Sequence, residues 1–122
     1  MAITDNGVAA IAAIIGGSGL SIPGYFAVGS GNTAESSSDT TLDHEYDRNS
    51  VTSTDLDVAN NVTWVGDFNS TEVSGLTMVE FGLFNSGTGG NLFHREVIGS
   101  IAFEGDRELQ IQSTFRFSRS GT

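Results

Sequence analysis

The stretch Glu108-Leu109-Gln110-Ile111-Gln112-Ser113-Thr114-Phe115-Arg116-Phe117 decides the fold class. Leu109, Ile111, Ser113, Phe115 and Phe117 alternate with Glu108, Gln110, Gln112, Thr114 and Arg116. A strict period of two places one set on a buried face and the other in water, which is the pattern of a half-buried β-strand. Working back from it, Glu104-Gly105-Asp106 is a turn and residues 91–103 form another strand. Before that, Asn85-Ser86-Gly87-Thr88-Gly89-Gly90 reads as a hairpin loop. Leu76 to Phe84 is apolar on both faces, as expected of a central strand covered on both sides. Val62, Trp64, Gly66 and Phe68 share one face of a further strand, and Thr63, Val65, Asp67 and Asn69 share the other. A strand over Gly24 to Val28 follows Pro23, whose missing N–H does little harm at a strand start.

These elements predict an all-β chain, an antiparallel β-sandwich of about six to eight strands. Sixteen glycines, a single proline and eight phenylalanines agree with strands joined by tight turns. Between the first strand and the next, residues 29–47 are polar and read as a long surface loop with a turn of helix near Leu42. The N-terminus reads differently. Thr4 or Asp5 can cap a short helix, and Val8, Ile11, Ala12 and Ile15 recur at helical spacing until Gly16-Gly17-Ser18-Gly19 stops it. An apolar segment this short is unstable alone in water, so Val8, Ile11, Ala12 and Ile15 are expected to anchor it on its own sandwich or on a neighbour. The expected organisation is a helix with a glycine-rich hinge over 1–19 and a sandwich over 20–122.

Charge narrows the function classes. The chain carries 15 acidic and 5 basic residues, a formal net charge of −10, and every basic residue is arginine. Such a surface repels phosphate backbones and anionic bilayers, so neither nucleic acid nor a membrane is an expected partner. The apolar run from Val8 to Ile15 is too short to span a bilayer and lacks a basic flank, so the chain reads as soluble and unexported. Acidity without lysine also suits a protein that works in molar salt, where the Debye length shrinks to about 3 Å and self-repulsion is screened.

No constellation for catalysis or cofactor binding stands out, and no enzyme activity, cofactor or metal is expected. There is no cysteine. Asp43-His44-Glu45-Tyr46-Asp47 is the densest group of potential ligands but matches no established ligand spacing. Asp55-Leu56-Asp57 lacks the glycine and distal glutamate of a calcium loop. Gly-Gly-Ser-Gly at 16–19 and Gly-Ser-Gly at 29–31 lack the lysine and the strand–turn–helix setting of a phosphate cradle. Asn61-Val62-Thr63 and Asn69-Ser70-Thr71 fit the glycosylation acceptor pattern, which arises readily by chance in a chain rich in Asn and Thr. Glu80 is a carboxylate inside an apolar strand and needs a cation. Counting back from a loop over 85–90 places Phe84 opposite Asn91, Gly82 opposite Phe93 and Glu80 opposite Arg95, predicting a structural ion pair.

The order of the motifs carries a resemblance. Ile3-Thr4-Asp5-Asn6-Gly7 leads into an alanine-rich helix, and Tyr25, Gly29, Gly31, Thr33 and Ala34 follow. Next come Asp39-Thr40-Thr41-Leu42 with Glu45 and Arg48, then Glu80, Gly82-Leu83-Phe84-Asn85, Gly89-Gly90, Leu92 and Arg95. Together they resemble a group of small virion proteins of tailed bacterial and archaeal viruses. The resemblance implies a structural protein of the virion, made in the host cytoplasm, that packs against copies of itself and against major capsid or tail proteins. A chain ending at Thr122 lacks the shaft of a complete fibre, which favours a homo-oligomeric capsid decoration or turret protein. A tail-tip, collar or fibre-attachment protein is the alternative, and a receptor- or carbohydrate-binding module a more distant one. With the acidic, lysine-free composition, the resemblance implies a halophilic archaeal host.

Overall fold

The computed structural model of the chain describes residues 2–119. In order it contains β1 (Ala2–Ile3), α1 (Asp5–Ile15), β2 (Tyr25–Gly29), β3 (Glu45–Ser50), β4 (Ser53–Asp55), β5 (Asn61–Phe68), β6 (Thr77–Phe84), β7 (Leu92–Ala102) and β8 (Leu109–Arg116). They form two antiparallel sheets, five strands in the order β1-β7-β6-β2-β3 and three in the order β4-β5-β8. The all-β sandwich read from the sequence is the observed class.

The core lies between the sheets. From one side come Phe26, Val28, Phe81, Leu83 and Phe93, and from the other Trp64, Phe68, Ile111 and Phe115, all buried. The alternation quoted above holds through the middle of the strand, where Ile111, Ser113 and Phe115 are buried and Gln110, Gln112, Thr114 and Arg116 are exposed. It fails at the ends: β8 stops at Arg116, Leu109 is only partly buried, and Phe117, expected inside, is 51 % exposed. β6 is central in its sheet and buried on both faces for two reasons. Phe81 and Leu83 face the core. On the outer face Ala27, Phe84 and Leu92 form a second cluster roofed by Leu42.

That roof is the stretch from 30 to 44, expected to be a solvated loop. It contains no helical turn near Leu42, and instead folds back over the outer face of the larger sheet. The stretch also yields to β3 at Glu45, a strand whose polar sequence hid it: it is held by backbone pairing with β2 and by its own Arg48 rather than by apolar side chains of its own. Arg48 in β3 lies 3.7 Å over the Phe84 ring and holds Glu45 through two hydrogen bonds.

The helix forms as expected, but it docks on a different face. Thr4 caps it, accepting from the Gly7 amide at 2.9 Å and donating to the Leu92 carbonyl. Gly7 and Ala10 are buried and Ile14 packs against the core. Of Val8, Ile11, Ala12 and Ile15, only Ile11 touches the core; Ala12 is exposed, and Val8 and Ile15 are 57 % and 79 % exposed. The docked face is thus rotated by about 100°, one residue step, from the expected one. The cause is the close approach of α1 to β7. A Cβ on Gly7 would lie 2.6 Å from the Phe93 Cα and carbonyl oxygen, so only small residues fit the contact and the bulky ones point away. Because β1 pairs with β7 and Ala10 enters the core, residues 2–15 are built into the sandwich that residues 20–119 form.

Candidate interaction surface

The buried charges come first, because chemistry would be sought there. Glu80 and Arg95 do form an ion pair, Nε to Oε1 at 2.8 Å, with side chains 0 % and 1 % exposed. Their register differs from the expected one. Gly82, not Glu80, is opposite Arg95, and Glu80 is opposite Val97. The hairpin closes one residue later, at Phe84 and Leu92, and an irregularity between Leu83 and Phe84 adds a second step. Two steps return a side chain to its original face, so the charges meet diagonally across Gly82 instead of directly.

Glu80 is saturated. Oε1 also accepts from the Asp43 amide at 2.8 Å, and Oε2 accepts from the amides of Gly31 at 2.8 Å and His44 at 2.7 Å. A Cβ on Gly31 would sit 2.5 Å from Oε2 and one on Gly29 2.7 Å, so glycine is what lets the chain wrap the carboxylate. Arg95 is equally engaged, donating from Nη1 to Asp39 at 3.1 Å and from Nη2 to the Thr33 carbonyl at 2.9 Å. Burial works against its charge, but Glu80 and Asp39 outweigh this and raise its pKa above the ordinary arginine value. Bound to each other and to five groups of the 30–44 segment (the Gly31, Asp43 and His44 amides, the Asp39 carboxylate and the Thr33 carbonyl), Glu80 and Arg95 act as a clasp that holds that segment to the sheet. Asp39 was not foreseen in it, since no sequence pattern places a loop residue against a strand 56 positions away.

The other sequence candidates scatter. The Thr33 hydroxyl donates to Asp43 at 2.7 Å and holds its carboxyl below the usual range, while His44 Nδ1 lies 3.6 Å from Asp43. Among the described residues no group of three or more His, Asp or Glu side chains is placed to hold a metal ion. Tyr46 lies on β3, half exposed, its hydroxyl donating to the Ser74 carbonyl at 2.6 Å.

What the surface does concentrate is apolar area. A groove of about 300 Å³ runs between α1 and the smaller sheet, lined by Ile15, Ile22, Leu56, Trp64 and Phe117 among others. A second depression, lined by Ile3, Val8 and Arg116, shares Ile11, Phe115 and Phe117 with it, so the two form one continuous face. At fractional exposures from 43 % to 79 %, Ile3, Val8, Ile15, Ile22, Leu56 and Phe117 make this one face a contiguous exposed apolar patch, the kind of feature found at protein contact sites. Trp64 is buried beneath this face with an indole N–H that has no acceptor among the described residues. The exposed isoleucine and valine of α1, selected at the sequence level as anchors, belong to this face rather than to the core.

Compared with protein-family models, with curated proteins and with solved structures, the chain matches none.

Proposed function

We propose that this chain is a structural subunit of a tailed-virus particle, a homo-oligomeric capsid decoration or turret protein that acts by surface burial and not by chemistry. The observation that carries the reading is the continuous apolar face around α1. A contiguous exposed apolar face favours cover by a neighbour, and shape complementarity with repetition is what a particle lattice supplies. The virus class itself rests on the order of motifs along the sequence.

The test is incorporation. Ile15→Asp and Leu56→Asp change side chains that are 79 % and 72 % exposed, so the fold is unaffected while assembly is lost. Circular dichroism of the purified variants and quantitative mass spectrometry of particles read the two effects separately. Hundreds of copies of the natural chain per particle match a head component, whereas a few copies indicate the tail-tip or collar alternative. Normal incorporation of both variants would sink the reading.

The halophilic setting makes a separate prediction. At a net charge of −10, diluting from about 1 M to 0.01 M salt lengthens the Debye screening from about 3 Å to 30 Å and exposes the fold to its own repulsion. The melting temperature is expected to fall by about 10 °C or more over that range. A flat profile would remove the halophilic host from the proposal.

A further inference from the structure

The smaller sheet ends on β8, and that end is unguarded. Of the four edge strands, β1 has 2 residues, β4 has 3, and β3 carries Glu45, Asp47 and Arg48 with a register irregularity opposite it. β8 runs 8 residues in unbroken register with β5 and, among the described residues, pairs with nothing on its other side. It contains no proline, no lysine and no bulge, the devices by which soluble proteins blunt an edge. We infer that β8 pairs antiparallel with β8 of a second copy across a two-fold axis at Gln112, joining two three-stranded sheets into one of six. This rests on the self-assembly reading above and names the contact that begins it.

The occupant follows from the strand's own residues. An antiparallel two-fold centred on Gln112 sets Glu108 opposite the partner's Arg116, and the reverse. Gln110 then faces Thr114 on the exposed side, and Leu109 faces Phe115 on the core side. Glu108 and Arg116 are the only charged residues of the exposed row, they are exposed, and neither forms an ion pair among the described residues. Only this register brings both into opposite-charge pairs; a shift of one residue would set exposed side chains against buried ones. The flanks agree. One end of β8 adjoins the depression of Ile3, Val8 and Phe117, the other a depression of about 250 Å³ lined by Ile98, Ile101 and Leu109. The two-fold places the first of one copy beside the second of the other.

The chain has no cysteine, so crosslinking carries no background. With Gln112→Cys, the two sulfur-bearing side chains face each other at the axis, where Cβ atoms of opposed residues lie about 5 Å apart, and mild oxidation by diamide yields a covalent dimer. Gln110→Cys sets its two copies four residues apart along the strand, about 13 Å, and stays monomeric on a non-reducing gel. Both sites are exposed, and unchanged circular dichroism confirms that each variant folds. Glu108→Arg and Arg116→Glu singly weaken dimerisation several-fold in sedimentation at about 0.15 M salt, and the double exchange restores it. Oligomers that form without the Gln112→Cys crosslink would overturn the β8 contact and leave the particle reading standing. A natural chain that stays monomeric at molar salt and millimolar concentration would overturn both.

Discussion

Arg95→Ala is expected to cost about 3–5 kcal/mol of folding stability, a fall in melting temperature of about 10–20 °C for a chain of this size. The size of the effect comes from what is left behind. Glu80 is 0 % exposed, and without Arg95 its charge keeps only the three backbone amides of Gly31, Asp43 and His44. Arg95 also binds Asp39 and the Thr33 carbonyl, so the 30–44 segment loses two more ties at once. Removing both charges with shape-conserving apolar residues, Glu80→Leu with Arg95→Met, costs much less than the sum of the single changes, because no isolated buried charge remains. Denaturant melts of the three variants measure the cycle. A loss under about 1 kcal/mol for Arg95→Ala would mean that solvent reaches the pair and that it does not hold the segment down.

Acid is the second lever, through His94. Its ring is fully buried between Phe81 and Phe115, at centroid distances of 5.8 Å and 5.6 Å, with Nε2 2.9 Å from the Ser113 hydroxyl across the two sheets. Nδ1 has no partner among the described residues. Burial disfavours the charged ring and pushes its pKa down from 6.5 to about 4. The unfolded chain therefore binds a proton at a pH where the folded one does not. The stability conferred by the neutral ring is whole above pH 6.5, drains as pH falls towards 4, and is lost below that. The loss amounts to about 3 kcal/mol over the window. His94→Gln should flatten that part of the stability profile, and a melting profile of the natural chain with no slope between these limits would refute the buried neutral ring.

Much of the fold was legible because period-two alternation needs only one face to be buried. In β8 and β5 the core face is supplied by the same few apolar residues that mark the pattern. β3 was missed because it is a polar strand, its stability coming from backbone pairing with β2 and from the Arg48 contacts. The ion pair was legible from desolvation alone: a carboxylate among Met78, Val79, Phe81 and Leu83 demands a cation, and Arg95 was at the right parity. Its register was not, because a loop longer by one residue and a bulge are decided by how the hairpin end packs. Asn85 shows how, binding the Asn91 amide at 2.8 Å and the Ser21 carbonyl at 3.1 Å.

The sequence by itself determined the class of fold, the pairing of Glu80 with Arg95, the capped helix and the acidic surface, since these follow from local periodicity, from the desolvation cost of a lone carboxylate and from composition. Tertiary structure alone decided which face of α1 is inside. Periodicity ranks residues by hydrophobicity and chose Val8, Ile11, Ala12 and Ile15, whereas the backbone contact between Gly7 and Phe93 selects by size and turned all but Ile11 of them outward. The same long-range contacts drew residues 30–44 over Glu80 and left β8 as an open edge. Neither outcome is encoded within any one segment, because burial is a property of what comes to lie opposite.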